Sequence, residues 1–141
     1  MIILGLNCFH GDASAALFRD GELIAAVEEE RFNRFKHSGG FPSNAVRWCV
    51  NKAKIDPREI DYVAIPRKSN AHILRKLTWA ARLPVSSAGR LKALKNFTSL
   101  NEQLAACFGL RTNDIRADFK FVEHHLAHMS SSFYTSPYKK S

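Results

Sequence analysis

Acidic residues are missing from one long stretch of this chain. Between Asp61 and Glu102 there is no Asp or Glu, while Arg67, Lys68, Arg75, Lys76, Arg82, Arg90, Lys92 and Lys95 supply eight bases. Elsewhere bases and acids balance, so the formal charge of +8 is local to this segment. A high isoelectric point of that origin does not define a nucleic-acid-binding protein. Long apolar runs are also lacking, and none approaches the roughly 20 residues that cross a membrane. The opening MIILGLNCF has no basic leader segment and meets Asp12 early, so it reads as a first strand rather than a secretory signal. Cysteines are few. Cys8, Cys49 and Cys107 are odd in number and form no CxxC pair, which fits reduced, buried thiols in a cytoplasmic protein. There are no internal repeats and no low-complexity tracts.

What is present is ordinary globular composition: 141 residues, 45% hydrophobic and 24% charged, enough for one domain with a core. Residues 2–8 and 13–19 are short β-prone runs, and Asp20-Gly21 predicts a tight hairpin into a third strand over 22–28. The simplest arrangement is an antiparallel meander. A polar loop follows, marked by Gly39, Gly40 and Pro42. Ser43 is then placed to cap a helix whose apolar face is Val46, Cys49, Val50 and Ala53, with Asp56-Pro57 closing it. Residues 60–66 read as a buried fourth strand parallel to the first. A basic amphipathic helix is expected over 70–83, with Ile73, Leu74, Leu77 and Ala81 on one side and Trp79 suited to an interface. Ser99 and Glu102 have capping-box spacing ahead of Leu100, Leu104, Cys107 and Phe108, and Gly109 suits the stop. A fifth strand over 119–122 leads into a helix from about 123 to 134. The order is α/β, and it matches one half of the fold shared by ribonuclease H, actin and sugar kinases.

Four constellations could carry chemistry. In VEHHLAHM, His124 and His128 are four apart and share a helix face, a span suited to two imidazoles on one metal. His125 points about 100° away. Two ligands do not complete a metal shell, so a carboxylate or a ligand phosphate must come from elsewhere; the alternative is a pair of surface histidines. The pair follows a strand end, where α/β folds place ligands. The turn CFHGDAS is the second. Gly11 removes a side chain where backbone must turn or approach a ligand, Asp12 could hold a metal-bound water or orient a hydroxyl, Ser14 could contact phosphate, and His10 could act as general base. Third is EEERFNRFKH, where Arg31, Arg34, Lys36 and His37 interleave with Phe32 and Phe35 and could grip an anion; the competing reading is a solvated edge. Fourth is the basic segment 67–95, either a contact surface for an anionic partner or a solvated face or lid.

Two stretches carry a family resemblance. ILGLNCFHGDASAALFRDGELIAAVEEERFNRFKHSGGFPSNAV at residues 3–46 and VEHHLAHMSSSFYTSPY at 122–138 resemble the N-terminal part of the carbamoyltransferases of antibiotic and nodulation-factor biosynthesis, the NodU/CmcH type. The DGxLxAAxEEERFxRxKH pattern is far more specific than an isolated HxxxH, whereas residues 67–97 carry no signature. The resemblance implies an actin-like ATPase fold and transfer of a carbamoyl group to a substrate hydroxyl. Carbamoyl-adenylate, made from carbamoyl phosphate and ATP by a separate YrdC-like domain, would be the donor. It further implies a divalent metal, iron by preference, on His124 and His128, with Asp12 at the bottom of the site and His10 near the acceptor. Gly11, Ser14, Lys36 and His37 would bind the nucleotide. In many members the first-turn His and Asp are adjacent, whereas Gly11 separates them here.

The family runs several times longer than 141 residues. The chain is therefore expected to lack the second half of the fold and the adenylating domain, to be inactive alone, and to need its own C-terminal remainder or a split subunit. Expected partners are a small-molecule hydroxyl acceptor and carbamoyl-adenylate, with no membrane and no nucleic acid. Two other readings are a related tRNA threonylcarbamoyl-transfer component, which shares the HxxxH helix, and a noncatalytic basic binding module.

Overall fold

The computed structural model describes residues 1–9, 11–66 and 99–134. His10, the basic segment with its expected helix over 70–83, and the end of the second resemblance stretch lie outside the described residues.

Strands β1 (Ile2–Asn7), β2 (Ser14–Arg19) and β3 (Glu22–Glu28) form the expected antiparallel meander. Asp20 and Gly21 both take positive φ, 51° and 89°, the backbone a tight two-residue hairpin demands. The register shifts between Leu17 and Phe18, so this hairpin carries an irregularity. Strands β4 (Tyr62–Ile65) and β5 (Asp118–Phe121) complete a five-stranded sheet in the order β3-β2-β1-β4-β5. β4 runs parallel to β1, as expected, and β5 runs parallel to β4.

Strand alternation divides the sheet into two faces. Leu4, Leu6, Ala15, Leu17, Ala25, Val63 and Ile65 are buried and form the core with the helical layer. Helix α2 (Ser43–Ala53) lies over β2 and β3 and buries Ala45, Val46, Cys49, Val50 and Ala53. Helix α3 (Leu100–Cys107) adds Leu100, Leu104 and Ala105 to the same core. On the opposite face Ala16, Gly5 and Ala64 form one cross-strand row of small side chains, beside the larger row Phe18, Ile3 and Tyr62.

Several local expectations are corrected. Where a loop was expected, Glu30–Asn33 forms one helical turn, α1. Ser43 does not cap α2: it is the first helical residue, Pro42 takes the cap position, and the donors are met by a glutamate from elsewhere in the chain. Lys54, left-handed at φ 51°, closes α2; Asp56 instead caps a short 3-10 turn over Pro57–Glu59. Ser99 stands at the cap of α3 without a side-chain capping bond, and its Oγ accepts from Gln103 Nε2 at 2.8 Å. Gly109 does stop that helix, with φ 65°. Helix α4 (His124–Tyr134) follows β5 and has no buried residue.

Candidate active site at one edge of the sheet

The parallel strands β1, β4 and β5 end at the same edge. The antiparallel β2 begins there and β3 finishes there. The β1–β2 turn, the loop after β3 and the start of α4 therefore lie on the same side of the sheet. Adjacent strands are about 4.8 Å apart, so the ends of β1 and β5 are about 10 Å apart.

The first turn is held by the loop that follows β3. Phe9 N donates to Gly40 O, and Ala13 N donates to Ser38 O, each at 2.9 Å. Asn7 Nδ2 donates to Asp12 O at 2.8 Å, and Asn33 Nδ2 donates to Ser38 Oγ at 2.7 Å. This clamp brings His37 onto Asp12, with Nδ1 and Oδ1 2.9 Å apart. Both side chains are exposed. Both residues sit in the left-handed region, Asp12 at φ 63° and His37 at φ 54°. Gly11 is expected where backbone must turn or approach a ligand. Among the described residues of the turn Phe9 and Asp12 are left-handed, and a Cβ at Gly11 would meet only His37 Cβ, at an ordinary 3.9 Å.

Of the other expected nucleotide contacts, Ser14 begins β2, half-buried, between Asn7 and Glu28. Lys36 is exposed beside His37. Arg31 reaches Glu28 at 3.4 Å and Glu30 at 3.9 Å on the surface. Phe32 and Phe35 are exposed, so the aromatic residues of this loop do not enter the core.

Glu29 has a structural role that the sequence reading missed. It is buried, and its carboxylate accepts from Asn44 N (3.2 Å), Asn44 Nδ2 (2.7 Å) and Ala45 N (2.8 Å) at the start of α2. Its own N–H donates to Ala13 O at 2.8 Å. One residue thus caps α2 from a distance and ties it to the turn that bears Asp12. The signal was present in the strand period, since Ala25, Val27 and Glu29 alternate onto the core side.

On α4, His124 Nε2 and His128 Nε2 lie 3.1 Å apart, with the rings edge to face. Two nitrogens bound at about 2.1 Å to one ion, with an angle of about 95° between them, have that separation. The pair fits a shared metal, and equally a single N–H···N hydrogen bond. Among the described residues no third His, Cys, Asp or Glu joins them. His125 turns away, as expected, and its Nδ1 lies 2.9 Å from Glu123 Oε1. Glu123 caps the helix through Oε2, which accepts from Leu126 N at 2.8 Å. That backbone bond, with the bond to His125, lowers the Glu123 carboxyl to about 2. Cys49 is buried and its thiol is pushed up to about 11 by desolvation; burial also raises Cys107. All three cysteines are free and buried, as expected. No helix of the described residues is long and apolar enough to cross a membrane.

An α/β sheet with histidines and a carboxylate beyond its strand ends has the layout of a candidate ligand site, and comparison with known proteins gives the family. Residues 2–141 match the family described as carbamoyltransferase N-terminus, and the chain belongs to that family. It is 36% identical over 138 residues to the nodulation protein NolNO of Sinorhizobium fredii, covering 96% of this chain and 19% of that protein. It is 33% identical over 148 residues to the uncharacterized protein sll1178 of Synechocystis, covering 99% of this chain and 24% of that protein. A third relative, an uncharacterized 19.2 kDa protein of Rhizobium etli, is 38% identical over 89 residues, 61% of this chain and 52% of that protein. The chain thus spans about a quarter or less of the first two relatives.

Proposed function

We propose that this chain forms the N-terminal part of an O-carbamoyltransferase, which moves a carbamoyl group from carbamoyl-adenylate to a hydroxyl of a natural-product or glycolipid acceptor. The observation that carries the proposal is that the Asp12–His37 contact and the His124–His128 pair both follow strand ends on the same side of the sheet, in a chain of the carbamoyltransferase family. The strand order, with β2 alone running opposite to the other four strands, supports the finer reading of the fold as half of an actin-like, ribonuclease H-like domain. The three buried thiols support a reducing, cytoplasmic setting.

The chemistry is coherent. A carbamoyl carbon is a sluggish electrophile, and adenylation gives it a better leaving group. A divalent ion, iron by preference, held by His124 and His128 would neutralise charge on the leaving phosphate. Ser14 and Lys36 would contact the nucleotide. A base must take the proton of the acceptor hydroxyl, and His10 was the expected candidate for that role. The adenylating domain and the remaining metal donors would come from the C-terminal remainder of the protein or a separate subunit.

The test uses the intact protein that bears this chain, supplied with ATP, carbamoyl phosphate, iron(II) and a hydroxyl acceptor. Pyrophosphate release that depends on carbamoyl phosphate is expected, together with an O-carbamoyl product. A variant combining His124→Ala and His128→Ala should keep the first and lose the second. Absence of carbamoyl-dependent pyrophosphate release in the parent protein would defeat the proposal.

A further inference from the structure

Among the described residues, the side-chain pair that reaches farthest across the chain at this edge is Asp12 with His37, 25 positions apart. Its geometry resembles a built dyad more than a chance surface contact. A carboxylate accepts hydrogen bonds and does not donate them, so the proton of this 2.9 Å contact resides on Nδ1 of His37. In the neutral ring Nε2 then carries the lone pair. The His37 side chain is 81% exposed, so a substrate hydroxyl can approach that nitrogen.

The backbone supplies an independent observation. Asp12 and His37 both hold left-handed conformations, unfavourable for residues with a Cβ, and they face one another. Four hydrogen bonds between or within the two loops offset that strain: Phe9 N to Gly40 O, Ala13 N to Ser38 O, Asn7 Nδ2 to Asp12 O, and Asn33 Nδ2 to Ser38 Oγ. A solvated loop edge has no need of such a clamp, whereas a base that must meet a hydroxyl does.

Resting on the carbamoyl-transfer reading above, we propose that His37 is the general base of the transfer step and that Asp12 is its positioning residue. Nε2 of His37 takes the proton of the acceptor hydroxyl as its oxygen forms a bond to the carbamoyl carbon. The bond from that carbon to the AMP phosphate oxygen breaks, and AMP leaves with the electron pair. The imidazolium then returns the proton to solvent. The products are the O-carbamoyl acceptor, AMP and one proton.

The left-handed backbone makes clean variants available, because Asn and Gly tolerate positive φ. His37→Asn can still donate to Asp12 but cannot accept the hydroxyl proton. His37→Gly leaves room for free imidazole. In the intact protein, His37→Asn should lower kcat for transfer by about 100-fold or more. Free imidazole should restore part of the activity of His37→Gly and none of His37→Asn. Transfer by His37→Asn within about threefold of the parent, or loss without imidazole rescue, would overturn the assignment. So would a His10→Asn variant that shows the loss while His37→Asn does not. Long-range 15N–1H NMR on the intact protein, labelled at histidine, gives a readout apart from activity: His37 protonated on Nδ1 is expected, and protonation on Nε2 alone refutes the dyad. A parent protein that forms no carbamoyl product fails at the broader reading, and the NMR result then still decides the dyad's geometry.

Discussion

Glu29 places a full carboxylate under the protein surface, 6% exposed, with three N–H donors directed at it. Removing an acceptor from buried donors costs more than the hydrogen bonds contribute on balance, since the donors remain desolvated. Glu29→Ala is therefore expected to destabilise the domain by about 2–4 kcal/mol, and Glu29→Gln by about 1–2 kcal/mol. Urea titration followed by circular dichroism measures both. Equal stability of the Ala variant and the parent would rule out the capping role. The thiols lead to a second expectation. Cys49, protonated up to about pH 11 and buried, should resist iodoacetamide at pH 8 until the domain opens. Mass spectrometry should find labelling of Cys49 rising together with unfolding. Burial of the cysteines was legible because their composition and spacing offered no other use. The role of Glu29 was hidden because EEE reads as charge, and only counting by twos from Ala25 separates the inward glutamate from its outward neighbours.

Elements were legible where periodicity and turn chemistry agreed. The DG hairpin, the meander, the parallel β4 and the Gly109 stop all follow from local pattern. Helix starts were not, because caps can come from outside the local sequence: Ser43 and Ser99 have the right chemistry at nearly the right place, yet Glu29 and Gln103 occupy the relevant bonds. At α4 the cap is local and titratable. Glu123 is held at about 2, below the ordinary carboxylate value, by the Leu126 N–H first and the His125 side chain next. A depressed carboxyl stabilises the folded form above the ordinary pKa and loses that contribution as pH falls through its folded value. The first turn of α4 should thus be intact above about pH 4.5 and fray progressively toward pH 2. The Leu126 amide resonance, followed by NMR, should move across that window and stay unmoved in Glu123→Gln. A Leu126 shift in Glu123→Gln that matches the parent would assign the change to another group.

At the scale of the whole molecule, the site is a product of topology. Residues 12 and 37 come together because β2 and β3 return the chain to the edge where β1 ended. The histidine pair arrives at the same edge because β5 lies two strands from β1 in the same direction. From sequence, each constellation could be recognised on its own, but the pairing of His37 with Asp12 could not, since no local pattern links residues 25 apart. This arrangement makes one expectation that no single element makes. Stability effects of substitutions about 10 Å apart without shared partners should add. Effects on transfer should not add if both pairs serve one transition state, because a group that acts as part of a unit has little left to contribute once the unit is broken. His37→Asn, the combined His124→Ala and His128→Ala variant, and the triple substitution together form the test in the intact protein. The triple variant should lose stability as the sum of its parts, while its transfer rate falls hardly below that of the slower parent variant. Rate losses that multiply in full would mean that the two pairs contribute independently to the transition state rather than as one unit.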